Sequence, residues 1–196
     1  MLLWTTMPKS LYVSTVLRHG YYVCDTSKCG MLELDSATKQ FQKAYDWMSA
    51  QMQEYIGPPP PNVKYPVWAW HKLRGLRKRP DLRWVEFRGF LEPMVLLECD
   101  IPDAQVLLSD EEMWTYGPLN DIPCFAVDDV ASDAERSWYY DDHSISDNRK
   151  ESWKLKTWQK IFHVAVAQHV QATFWILRAK DIKRVWVFNE WRKPKE

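Results

Sequence analysis

HVQATFWILRAKDIKRVWVF, residues 169–188, decides how the chain closes its fold. Two apolar runs flank a charged elbow. They read as two final strands, about 171–177 and 183–188, joined by a tight AKDI turn. The first run opens on an amide, Gln171. Such a group either caps a buried strand end or is presented to a site together with Thr173, the next residue on that side.

Working back from this stretch, RKESWKLKTWQKIF (149–162) has the spacing of a basic helix. Residues 117–148 lack clear periodicity and are expected to form a long acidic loop region, with a small helix near 132–140. MVLLECDI (94–101) reads as a buried strand. VLLSDEEMW (106–114) reads as an apolar step into a short helix capped by Ser109, and LRWVEF (82–87) as a further strand. In YPVWAWHKL (65–73), Val67, Ala69 and His71 alternate with Trp68, Trp70 and Lys72, the period of a strand with large rings on one side. A helix over 37–56, capped by Ser36, carries Phe41, Ala44, Tyr45, Met48, Met52 and Tyr55 on one stripe and stops at GPPPP (57–61). Before it come LLWTT (2–6) as a strand, a helix from Pro8 to Gly20, and YYVC (21–24) as a returning strand. Helices stand apart from runs of strands rather than alternating with them. The expectation is therefore an α+β fold, a single domain over 1–196 with a mixed or antiparallel sheet.

Twelve tryptophans are several times ordinary usage, more than one core needs, so some are expected to line a concave surface. Net charge is zero, which argues against a globally basic nucleic-acid binder, but the charge is blocked. Residues 72–88 carry seven Lys/Arg against Asp81 and Glu86, and residues 97–148 carry fourteen Asp/Glu against Arg136. The run Arg74, Arg77, Lys78 and Arg79 is either solvated surface or a set of phosphate contacts. Four cysteines are too few and too irregular for a disulfide scaffold. Cys24 and Cys29 have zinc-ligand spacing, but no second pair follows, and no metal site is expected. No leader segment and no stretch of roughly 18 apolar residues is visible, so the expectation is a reduced, cytoplasmic protein without a membrane partner.

The sequence has no GxGxxG after a strand, no GxxxxGK[ST], no HExxH and no GxSxG. His19, His71, His143, His163 and His169 form no ligand set, and His19 beside Gly20 reads as a helix-end cation.

The stretches LWTT, FQKAYDWMSAQM, YPVWAW, IPDAQVLLSDEEMW and QATFWIL…DI…VWVF together resemble a family of short bacterial proteins of the domain-of-unknown-function type. More distantly, the start and end of the chain resemble ADP-ribosyltransferases, including toxins that modify nucleic acids. That resemblance implies NAD as substrate and an ADP-ribosyltransferase-like domain. It further implies transfer of ADP-ribose to RNA or DNA as a bacterial toxin or phage-defence effector, and an antitoxin partner. Carried over by position, Trp4, Thr5 and Thr6 would hold the nicotinamide–ribose end. Tyr65, Trp68 or Trp70 would stand beside nicotinamide, Tyr65 as a catalytic group. The late-strand catalytic glutamate falls on Gln171, which is the main departure. A neutral amide holds a ribose hydroxyl but neither stabilises developing positive charge as a carboxylate does nor acts as a base. Three readings follow: an acid from Asp110, Glu111 or Glu112 substitutes; NAD is bound without turnover; or Gln171 caps a buried strand end. Trp68 and Trp70 are likewise either core or stacking rings. The rival functions are a non-catalytic module that reads nucleotide or nucleic acid through a tryptophan-rich groove, and a protein-interaction domain whose acidic loop docks a basic partner.

Overall fold

A computed structural model describes residues 1–24 and 35–189. In chain order its strands are β1 (Leu2–Pro8), β2 (Tyr21–Tyr22), β3 (Val67–Lys72), β4 (Met94–Asp100), β5 (Leu107–Asp110), β6 (Val170–Phe174), β7 (Leu177–Arg178) and β8 (Ile182–Phe188). Six of them form one sheet in the order β5-β6-β3-β1-β4-β8, and every pair in it is antiparallel. β2 and β7 form a separate two-stranded ribbon. The fold is α+β, as the segregation of helices predicts.

The expected hairpin between the last two strands does not form. β6 pairs with β3 and β5, whereas β8 pairs with β4 at the opposite edge. β6 and β8 run parallel, and parallel strands cannot be joined by a tight turn. The elbow is instead part of a crossover through β7 and a 3-10 turn at Ala179–Asp181. β3 and β4 are also parallel to each other, with β1 between them. Their connection, residues 73–93, must therefore recross the sheet over β1. The strand expected at 82–87 lies in this connection and is a 3-10 turn, Val85–Phe87.

The helices are α1 (Lys9–Tyr12), α2 (Asp35–Tyr55), α3 (Glu111–Tyr116), α4 (Asp129–Tyr140) and α5 (Asp147–Thr157). α1 widens into a π turn over Val13–Leu17, where the Ser14 and Thr15 hydroxyls both donate to the Leu11 carbonyl, at 3.2 and 2.6 Å. Such back-bonding competes with the helical ladder. Gly20 ends the segment at φ +81, a conformation L side chains avoid. The α2 stripe is buried at Ala44, Met48 and Met52, and the helix stops at Gly57, φ +117, before the prolines. The Ser36 side chain and Cys29 lie outside the described residues. α3 is capped by Asp110, not Ser109: the Asp110 carboxylate accepts the N–H groups of Glu112 and Met113 at 3.0 and 3.1 Å. The acidic region 117–148 is more ordered than its lack of period suggests. Asp128 caps α4 by accepting the Ala131 N–H at 2.9 Å, and Trp138 packs on Trp153 of α5 at 5.0 Å.

Alternation divides the sheet into two faces. Leu3, Met7, Val67, Ala69, Val95, Leu97, Cys99, Ala172 and Phe174 pack on one face with Val16 and Leu177. On the other, Leu107 packs under Ala44, Met48 and Met52 of α2, with Trp114, Trp158 and Trp68. Behind α2, Lys154 is almost fully buried, and its ammonium meets Asp121 at 2.7 Å and Glu151 at 2.8 Å. Lys43 of α2 joins the same two carboxylates at 2.7 Å each. Burial pushes the Asp121 carboxyl up, but hydrogen bonds from Lys154 and Lys43 outweigh it and leave the group lowered.

A tryptophan-walled cleft at the centre of the sheet

β1 is bonded to β4 along its whole length, Leu2 opposite Asp100 through Pro8 opposite Met94. Against β3 it registers at one position, Trp4 opposite Trp70. Where that ladder lapses, the Thr5 hydroxyl donates to the Trp68 carbonyl at 2.7 Å. A cleft of about 220 Å³ opens there, lined by Trp4, Thr5, Thr6, Trp68, Ala69, Trp70 and Gln171.

The register explains why residues so distant in sequence meet. Ser109, Gln171, Trp70, Trp4, Glu98 and Arg184 are successive cross-strand partners on β5, β6, β3, β1, β4 and β8. Directly paired residues share a face, so this row crosses the whole sheet on the cleft side. The three segments expected to cooperate, LWTT, YPVWAW and QATFW, are thus adjacent strands. Within them the structure adjusts individual roles. Thr5 shares the side of Leu3 and Met7, is buried, and spends its hydroxyl on Trp68, whereas Trp4 and Thr6 belong to the cleft face. Thr173 shares the face of Gln171 but is fully buried under α2, its hydroxyl near the Met52 sulfur and donating to the Leu107 carbonyl, both at 3.2 Å. Tyr65 stands outside the lining. Its hydroxyl donates to Asp46 of α2 at 2.8 Å, its ring meets Tyr45, and burial raises its phenol above the usual value.

Four side-chain polar atoms on this face are buried without a hydrogen-bond partner: Trp4 Nε1, Trp68 Nε1, Ser109 Oγ and Gln171 Oε1. Each such orphan costs about 1–3 kcal/mol, and native proteins hold few of them. Ser109 was legible as a cap and not as a cleft-face residue. Its place two residues after Leu107, on the same side of β5, was the available signal. Trp68 is braced by Trp114 at 5.0 Å and by the edge of Tyr45 at 5.8 Å. Trp70, half-buried, has no ring neighbour among the described residues and offers an open face.

The carboxylates weighed as substitutes for the missing glutamate are engaged elsewhere. Asp110 caps α3, Glu111 accepts the Thr115 hydroxyl at 3.1 Å, and Glu112 lies 3.0 Å from His169. No acid lines the cleft among the described residues. Glu98 stands one strand beyond, across from Trp4, with Arg184 at 3.8 Å.

The basic run is not uniform either. Arg74 is clamped bidentately by Glu86 at 3.0 and 3.1 Å and stacks over Trp84 at 4.8 Å. Arg79 lies 4.9 Å over the ring of Trp186, and Arg77 and Lys78 are exposed without an ion-pair partner among the described residues.

No grouping of His, Cys, Asp or Glu suited to a metal occurs among the described residues, and no described helix is long and apolar enough to cross a membrane. No curated protein and no solved structure matches the chain. A family model does, over residues 2–183, so the chain belongs to the family described as Domain of unknown function (DUF3841).

Proposed function

We propose that the cleft binds NAD by its nicotinamide–ribose end and that the protein transfers ADP-ribose from it to nucleic acid, as a toxin or phage-defence effector restrained by an antitoxin. The observation that carries this reading is the convergence of Trp4, Thr6, Trp68, Trp70 and Gln171 on one cleft whose buried polar atoms lack partners. The first, middle and late strands that the ADP-ribosyltransferase resemblance singles out are β1, β3 and β6, neighbours in the sheet. Two indole N–H groups call for acceptor oxygens, and the Gln171 carbonyl calls for a hydroxyl or amide donor. A ribose and a carboxamide supply both. The open face of Trp70 suits a flat heteroaromatic ring.

As nicotinamide leaves, positive charge develops at the ribose carbon. Gln171 holds the ribose hydroxyl in place without opposing that charge. The lack of an acid in the lining favours a second reading, a module that binds the nucleotide without consuming it.

Titration calorimetry with NAD, followed by measurement of free nicotinamide, separates these readings. Saturable binding with nicotinamide release that rises in Gln171→Glu supports transfer. Binding without release in either protein supports the non-catalytic module. Absence of saturable NAD binding, in a protein whose fold is verified by thermal melting, overturns both.

A further inference from the structure

We infer that the surface above the cleft, made by the 73–93 crossover and β8, binds single-stranded nucleic acid; its place as acceptor rests on the transferase reading. The crossover recrosses the sheet on the cleft face. Arg79 lies over Trp186, whose cross-strand row runs through Leu96 to Thr6 in the cleft lining, and Phe87 and Phe90 meet Phe188 at 6.4 and 5.9 Å. A strand lying on this segment therefore passes the mouth of the cleft, where an acceptor atom must reach the ribose carbon.

The chemistry of the surface selects the partner. Arg77 and Lys78 are exposed and without ion-pair partners among the described residues, whereas Arg184 on β8 already has Glu98 at 3.8 Å. Two half-buried indoles, Trp84 and Trp186, each lie beneath a guanidinium, at 4.8 and 4.9 Å. Cations alone fit any polyanion. Rings interleaved with cations fit a chain whose bases are free to stack, which a duplex withholds. Arg74 is excluded as a phosphate ligand, because Glu86 already neutralises it.

The test is fluorescence anisotropy without NAD, using a fluorescein-labelled 12-nucleotide RNA, DNA of the same sequence, and the corresponding duplexes, over a salt series. The single strands are expected to bind at least tenfold more tightly than the duplexes. Trp186→Ala is expected to weaken single-strand binding roughly five- to 100-fold, the range for loss of one stacked base, with the salt slope unchanged. Trp186→Tyr, which keeps a stacking ring, is expected to restore most of it and guards against a folding defect. Arg77→Ala with Lys78→Ala is expected to lower the log–log salt slope by about 0.7 per lost phosphate contact. Arg74→Ala is expected to leave the slope unchanged. Equal or tighter duplex binding, or unaltered affinity in both Trp186 variants, overturns the proposal. Trp70→Ala distinguishes the two sites: it is expected to lose NAD affinity while single-strand affinity holds. Failure of NAD binding with single-strand binding intact therefore sinks the transferase reading alone.

Discussion

The two faces of the sheet are built from the same strands but solve different problems. One face is apolar from Leu3 and Met7 to Phe174, and its one hydroxyl on β1, Thr5, is satisfied by the neighbouring strand. Its orphan is His71 Nδ1, at the bulge between Trp70 and Lys72; burial, then Arg77 and Lys72, hold that imidazole below its ordinary value. The other face gathers Trp4, Trp68, Ser109 and Gln171, each with a buried polar atom unpartnered. A sheet stabilised only for folding would fill such positions with apolar side chains. The contrast teaches that unpartnered buried polar atoms concentrate on the cleft face, which is the feature the proposed ligand site rests on.

The largest expected effect tests the closed face. Leu97→Ala, at a fully buried position, should lower unfolding free energy by about 2–5 kcal/mol in denaturant titration. Ligand affinity of the folded fraction should be unchanged. A drop in NAD affinity there would break the division between faces.

The ion network behind α2 provides a control remote from the cleft. Asp121→Asn keeps a residue that tolerates the left-handed conformation at φ +55 but removes one charge facing buried Lys154. It should cost about 3 kcal/mol, the low end for breaking a buried pair, because Glu151 remains. The folded-state carboxyl groups of Asp121 and Glu151 are both lowered. Their stabilisation is therefore present above the ordinary carboxylate values near pH 4 and is lost as pH falls below them through the lowered folded values. Thermal melts from pH 7 to pH 2 should show a steep acid limb in the parent and a shallower one in Asp121→Asn.

On the cleft face, Trp70→Ala should reduce NAD affinity by about 1–3 kcal/mol, the cost of one lost stacked ring, in calorimetry. Its stability should change far less than that of Leu97→Ala, because Trp70 is half-exposed already.

The smallest effects have the sharpest sign. Ser109 is fully buried with an unpartnered hydroxyl, so Ser109→Ala should stabilise the free protein by about 1 kcal/mol. Gln171→Ala should cost about 0.5–1.5 kcal/mol of ligand binding, roughly two- to tenfold in affinity. A Ser109→Ala protein that melts clearly below the parent would mean that the hydroxyl is already satisfied in solution, and the contrast between the faces would weaken.

Much of this was legible along the chain. Period-two alternation over 65–73 and apolar runs at 2–6 and 94–101 marked three central strands, and the α2 stripe marked the helix that packs on β5, β6 and Trp68. Tryptophan excess pointed to a ring-lined concave surface and marked no particular ring, and Gln171 stood out as an amide opening a buried run; the choice of Trp4, Trp68 and Trp70 came from the ADP-ribosyltransferase resemblance. Those signals are local, since burial on one face imposes a pattern within a few residues. Tertiary structure decided the rest. The closing strands separate, β8 to the edge beside β4 and β6 to an interior place between β5 and β3, because long-range pairing, not the short elbow between them, determines a strand's neighbours. Ser109 faces Gln171, the Thr5 hydroxyl is spent on the Trp68 carbonyl, and Tyr65 binds Asp46, all through register and packing that no single segment encodes. The cleft itself exists because β1 keeps its full ladder with β4 and nearly none with β3, a choice visible only once six strands compete for the same hydrogen-bonding edges.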